Sequence, residues 1–138
     1  MKIVIVGCNK ISVSLCTVLL KDKHDITIID KSEDAFLELE ESYTGNKILG
    51  DATDVDILRK ANLDNVDIFL VLTDNDNTNI MIAQIVKNKF KTKRIICKVD
   101  DPIRAKAYKE LDLETICPTN YTINMIKDIV NSTKAKIK

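Results

Sequence analysis

Glycine is scarce in this 138-residue sequence, with 3 residues; proline is scarcer, with 2, and tryptophan is absent. So little glycine and proline excludes collagen-like, low-complexity and long flexible-linker chains. Net charge is lacking too, because 21 basic and 21 acidic residues cancel to +0. That balance argues against a nucleic-acid binder working through a basic field, and against a polyanionic tail. No apolar run approaches the roughly 20 residues needed to cross a bilayer. The run Ile3 to Val6 after Met1-Lys2 is too short to read as a signal peptide. A role at a membrane would therefore be that of a soluble partner. His24 is the one histidine, and none of Cys8, Cys16, Cys97 and Cys117 forms a C-x-x-C pair. The cysteines read as small, buried, reduced thiols of a cytosolic protein, and no zinc-ligand spacing is recognisable.

What the chain does have is apolar content, 45%, enough for a core, on a length of about one domain. Short β-branched runs alternate with longer segments of helical period. Strands are expected at 2–6 (KIVIV), 25–30 (DITIID), 46–51 (NKILGD), 67–72 (DIFLVL), 94–99 (RIICKV) and 113–117 (LETIC). Helices are expected between them. The first places Ile11, Leu15, Val18 and Leu19 on one face. The second is SEDAFLELEES, capped by Ser32 with Glu33 and Asp34 in its first turn. Others fall at 53–61, at about 75–89, and at 102–110 with Pro102 opening it. A last helix of about 12 residues starts at Pro118-Thr119, and the polar tail STKAKIK is expected to fray. Alternating strands and helices imply right-handed crossovers. The expected fold is α/β, a Rossmann-like, doubly wound, six-stranded parallel sheet with helices on both faces.

In such a sheet ligands bind beyond the carboxyl ends of the strands, at the switch point, so the segment after each strand is where chemistry belongs. The first is Gly7-Cys8-Asn9-Lys10-Ile11-Ser12, in the place of a G-x-G-x-x-G loop. Its first glycine is present; Asn9 and Ser12 replace the second and third. Ser12 is small enough for close packing. Asn9 tolerates unusual backbone angles but carries a side chain where a phosphate would approach, so the loop by itself leaves diphosphate binding open. Asp30, 23 residues beyond Gly7, stands where a carboxylate accepts from ribose hydroxyls; the alternative is a solvated strand-end residue. Lys31 could add a cation. Asp51 and Ala52, in Gly50-Asp51-Ala52-Thr53, offer room for a flat base and an acceptor for its amine; the alternative is a tight turn capped by Thr53 or Asp54. Thr73 faces the crevice from a helix-capping segment, and Lys98 could reach phosphates from across it. No catalytic constellation is present. Tyr43-x-x-x-Lys47 matches a dehydrogenase motif by spelling alone and falls too early in the chain. A nucleotide site without catalytic apparatus points to sensing.

Three blocks carry a resemblance: KIVIVGCNKIS with HDITIIDKSED; GDATDVDILRKANLDNVDIFLVLTDNDNTNIMIA; and RIICKVDDP. With these the chain resembles the N-terminal nucleotide-binding domains of the TrkA/KtrA potassium-uptake regulators, the KTN or RCK N-lobes, over residues 1–131, leaving 132–138 as a tail. The resemblance implies a cytoplasmic regulatory subunit or domain that binds NAD(H) or ATP/ADP without catalysis. It would assemble as a homodimer or higher ring and gate a membrane potassium transporter, held at the inner face of the membrane through that partner. Neither nucleic-acid binding nor membrane insertion is implied. It also implies cofactor positions at Gly7, Asn9, Lys10, Ile11, Asp30, Lys31, Asp51, Ala52, Thr73 and Lys98. Lys98 stands where the family often has Arg, and lysine supplies a point charge rather than a bidentate fork. Many members continue into a C-terminal lobe, and their last helix and sheet edge help form the dimer. Here Ile123, Ile126 and Val130 share a face suited either to that or to packing on the sheet. Two other functional classes stay open: an NAD-dependent oxidoreductase fragment, and a ligand-free dimerisation scaffold.

Overall fold

The computed structural model describes residues 1–137. Six strands form one parallel sheet: β1 (Lys2–Val6), β2 (Asp25–Asp30), β3 (Asn46–Leu49), β4 (Ile68–Val71), β5 (Arg94–Lys98) and β6 (Glu114–Ile116). Their spatial order is β3-β2-β1-β4-β5-β6, the doubly wound order, with the reversal between β1 and β4. Ile5, Ile26, Ile28, Ile29 and Phe69 are fully buried. Each contributes roughly 1.5–3 kcal/mol of hydrophobic stabilisation relative to exposure. Alternate residues serve opposite faces. Ile3 and Ile5 join Ile26, Ile28 and Cys16 in one core layer; Val4 and Val6 join Ile29, Phe69 and Val71 in the other.

Among the described residues five α-helices connect and follow the strands: α1 (Lys10–Lys21), α2 (Val55–Lys60), α3 (Asp76–Lys89), α4 (Pro102–Lys109) and α5 (Pro118–Ile137). Side chains of α1 lie in the first layer, and those of α2, α3 and α4 in the second. The expected face of α1 holds in part, since Leu15 and Leu19 pack against the first core layer, and is corrected at its other two members. Ile11 and Val18 are 48% and 58% exposed, whereas the small Ser12 and Cys16 point inward. Small side chains let the helix backbone approach the sheet, so size rather than hydrophobicity sets the phase here. The segment after β2 is a 3₁₀ turn, Glu33–Glu38, not an α-helix, and the Ser32 side chain makes no capping bond. It gives the core only Ala35, Phe36 and Leu39, with Leu37 80% exposed, too little burial to hold more turns. Asp54, not Thr53, caps α2, its side chain accepting from Asp56 N–H.

The last helix is 20 residues long rather than about 12, and it runs through most of the segment expected to fray. No residue of α5 is buried among those described. Tyr121, Ile123, Met125, Ile126, Ile129 and Val130 are all more than half exposed, so of the two readings left open for this face, packing on the sheet of its own chain is not the one observed. All four cysteines are buried and free. Among the described residues, no helix is long and apolar enough to cross a membrane.

Candidate functional site

The strand register brings the candidate residues together. Val6 lies opposite Ile29 of β2 and Val71 of β4, and Asp30 lies opposite Leu49 of β3. The chain therefore leaves four adjacent strands nearly level, with Gly7, Asp30, Gly50 and Leu72-Thr73 side by side. Between them opens a cleft of about 410 Å³, within the range of roughly 300–1,000 Å³ usual for small-molecule sites.

Gly7 sits at φ +98°, a conformation that penalises any side chain. A Cβ there would lie 2.9 Å from the Thr73 amide nitrogen and 3.0 Å from its Cα. This glycine is needed because the loop leaving β1 passes directly against the end of β4. Its neighbour is fixed by Asp30, whose Oδ2 accepts from Cys8 N–H at 2.8 Å while Oδ1 accepts from Ser32 N–H at 2.8 Å. Each oxygen keeps a second lone pair for a hydroxyl donor. The Cys8 thiol donates to the Ala35 carbonyl, and burial together with the Asp30 carboxylate raises its pKa. It is thus held as a neutral thiol, unsuited to nucleophilic work.

The start of α1 is closed by its own residues. Asn9 Oδ1 accepts from Ile11 N–H at 3.1 Å and Ser12 N–H at 3.2 Å. In return, Ser12 Oγ accepts from Asn9 N–H at 2.8 Å, completing a reciprocal capping box. The remaining Asn9 group, Nδ2, donates to the Leu72 carbonyl at 2.6 Å, tying the loop to the end of β4. The two residues that replace glycines in the loop motif are therefore one hydrogen-bonded device.

On the β3 side, Asp51 Oδ1 accepts from the backbone and hydroxyl of Thr53, at 2.9 and 2.7 Å. Those bonds hold its carboxyl below the usual carboxylate range, so it is an acceptor at neutral pH. Ala52 is buried and leaves the wall smooth. On the β4 side the Thr73 hydroxyl turns inward to Asn79 Oδ1, which also accepts from Thr73 N–H at 3.1 Å. Asn79 Nδ2 donates to the carbonyls of Thr73 at 3.0 Å and Lys98 at 2.9 Å. This fully buried amide thus fastens the ends of β4 and β5 together. One turn earlier, Asp76 ties the start of α3 to the segment after β5, accepting from Asp100 and Asp101 N–H at 2.8 and 3.1 Å.

Gly7, Asn9, Asp30, Lys31, Asp51, Ala52 and Thr73 line this one cleft. Lys10 and Ile11 lie on the outer side of α1 and do not line it, and neither does Lys98. Lys98 is only 4% exposed, and its Nζ is 3.8 Å from Asp74 Oδ1 and 3.6 Å from Asp100 Oδ2. Sequence reasoning missed Thr78 and Ile82, which enter the wall from α3. It also left Asn79 without a role. The signal for Asn79 was a polar residue spaced like the buried positions Ile82, Ala83 and Val86 of the same helix.

The fold and the position of the cleft define a Rossmann-like, doubly wound α/β domain. Residues 3–118 match the family model of the TrkA-N domain, and the chain belongs to that family. It is 29% identical over 126 residues to a Trk system potassium uptake protein TrkA of Streptomyces coelicolor, a match that covers 91% of this chain and 56% of the relative. The chain thus spans little more than half that relative's length. Two solved structures share the fold. The Kef C-terminal domain of Shewanella denitrificans in an AMP-bound form has a TM-score of 0.79 at 15% identity, covering 96% of this chain and 82% of that one. The GsuK channel bound to NAD has a TM-score of 0.72 at 21% identity, covering 83% of this chain and 21% of that one.

Proposed function

We propose that this protein is a regulatory subunit or domain of a membrane potassium uptake system, on the cytoplasmic side, that binds an adenine nucleotide without transforming it. The observation that carries the reading is the convergence of Gly7, Asp30, Asp51 and Thr73 on one cleft at the switch point. Asp30 would take the ribose hydroxyls and Asp51 the exocyclic amine of the base, against the smooth wall at Ala52. NAD(H), ATP and ADP are the candidate ligands, and both halves of the reading have support: a potassium uptake protein among the relatives, and NAD- or AMP-bound proteins among the structures that share the fold. Among the described residues the cleft lining contains no histidine, tyrosine or glutamate, and its thiol, Cys8, has a raised pKa, which favours regulation over hydride-transfer chemistry. The unpartnered apolar face of α5 favours a homodimer as the working unit.

Gating requires unequal affinity of the nucleotide for two arrangements of the assembly. The test is equilibrium unfolding with and without NAD, NADH, ATP and ADP. A ligand at about 100 times its dissociation constant adds roughly 2.7 kcal/mol, and Asp30→Ala removes that gain while the variant stays folded. No gain with any of the four would leave the scaffold role instead. NADH oxidation with a hydride acceptor would favour the oxidoreductase.

A further inference from the structure

The cleft's binding preference can be read from which of its donors are already occupied. A diphosphate at a loop of this kind is held by backbone N–H groups at the start of the first helix, where the aligned peptide dipoles favour an anion. In this protein four of the five, from Cys8 to Ser12, are engaged, and Lys10 N–H alone has no partner among the described residues. Cys8 N–H donates to Asp30, Asn9 N–H to Ser12 Oγ, and Ile11 and Ser12 N–H to Asn9 Oδ1. The amide oxygen of Asn9 takes two N–H groups that a phosphate oxygen would otherwise accept from, and its nitrogen is anchored 2.6 Å from the Leu72 carbonyl.

A second, independent observation is electrostatic. The lining carries three carboxylates, Asp30, Asp51 and Asp74, against the single ammonium of Lys31. The nearest further cation, Lys98, is buried outside the lining and faces Asp74 and Asp100. A phosphate entering the cleft would gain no free amide pair at α1 and would meet an excess of like charge.

We propose that the cleft is an adenine nucleoside site in which the Asn9–Ser12 pair replaces the ligand's phosphates, so that affinity rests on the adenosine half and is nearly blind to phosphate number. This rests on the nucleotide reading above and specifies what that site takes. Calorimetric titration of the full chain with adenosine, ADP and NAD, on wild type and Asn9→Gly, tests it. Glycine suits the helix-capping position and frees the two amides. Expected are wild-type dissociation constants for adenosine and ADP within about threefold of each other. In Asn9→Gly, ADP and NAD tighten at least tenfold while adenosine moves less than threefold. Asn9→Asp keeps an oxygen in the cap, and ADP stays as weak as in wild type or weaker; it also serves where Asn9→Gly fails to fold. The inference is overturned, with the nucleotide reading intact, if wild type prefers ADP over adenosine tenfold or more. It is equally overturned if ADP binds wild type and Asn9→Gly alike, or tightens with Asn9→Asp. Adenosine, ADP and NAD all failing to bind both wild type and Asn9→Gly would overturn the nucleotide reading and this inference together.

Discussion

Replacing Asn79 with alanine should cost more stability than any other single polar substitution near the cleft. Its side chain is fully buried and meets Thr73 N–H, the Thr73 hydroxyl and the carbonyls of Thr73 and Lys98. Truncation leaves those groups facing an apolar interior. Each buried group left unsatisfied costs about 1–3 kcal/mol. The Thr73 hydroxyl can turn to solvent, leaving the equivalent of one or two full penalties, so the expected loss is about 3 kcal/mol. With a urea slope of about 2 kcal/mol per molar, the unfolding midpoint falls by roughly 1.5 M. Asn79→Asp should be no better, because it puts a carboxylate against two carbonyl oxygens. Asn75→Ala, which removes a single exposed cap bond to Thr78 N–H, sets the scale of an ordinary loss at about 1 kcal/mol. Equilibrium unfolding followed by circular dichroism at pH 7 measures all three. If Asn79→Ala loses less than about 0.5 kcal/mol, the range of an ordinary surface change, the amide is not the clasp between β4 and β5, and the argument for how the cleft wall is built fails.

Three further outcomes follow from the geometry. Gly7→Ala forces a Cβ to 2.9 Å from the Thr73 nitrogen at φ +98°. A loss of about 2 kcal/mol or more from backbone strain and crowding is expected, with ligand stabilisation abolished; an unchanged unfolding midpoint would contradict the close contact of β1 and β4. Burial pushes the Cys16 thiol up to about 11 and the Cys97 thiol up to about 12. Both pKa values lie above the unfolded value of about 8.5, so their stabilising contribution is complete below that pH and is lost as pH rises toward 11 and 12. Unfolding curves from pH 7 to 10 should show the decline, and native Cys97 should resist iodoacetamide at pH 8; rapid alkylation of it would refute the burial. Ile126 and Ile129 are 56% and 61% exposed on α5. Ile126→Asp with Ile129→Asp should therefore convert a dimer to a monomer without lowering monomer stability, as light scattering would show. A doubly substituted protein that stays dimeric would move the interface elsewhere.

The sheet is legible from its residues because Ile and Val runs bounded by polar turns define buried parallel strands. Once the order of strands is known, the level exit of β1, β2, β3 and β4 makes the cleft legible as well. The phase of α1 is not, because Ile11 and Val18 are apolar yet exposed, and Ser12 and Cys16 face the sheet for their size. The length of α5 is hidden for a related reason. Its polar end keeps helical geometry with no buried residue to mark the continuation. Lys98 reads as a strand-end cation able to reach phosphates across the crevice, but it is buried against Asp74 and Asp100 from two loops. The most instructive case is Asn9 and Ser12. Measured against a glycine pattern they are two losses, whereas an Asn followed three residues later by a Ser with a hydroxyl turned back is a capping pair.

The proposed function depends above all on an adenine ligand binding at the switch point with its ribose on Asp30. A crystal grown with AMP tests it most directly. Density is expected in the cleft beside Gly7, with the ribose hydroxyls within hydrogen-bonding distance of the Asp30 carboxylate and the base against Ala52. An empty cleft, or AMP bound away from Asp30, would contradict it.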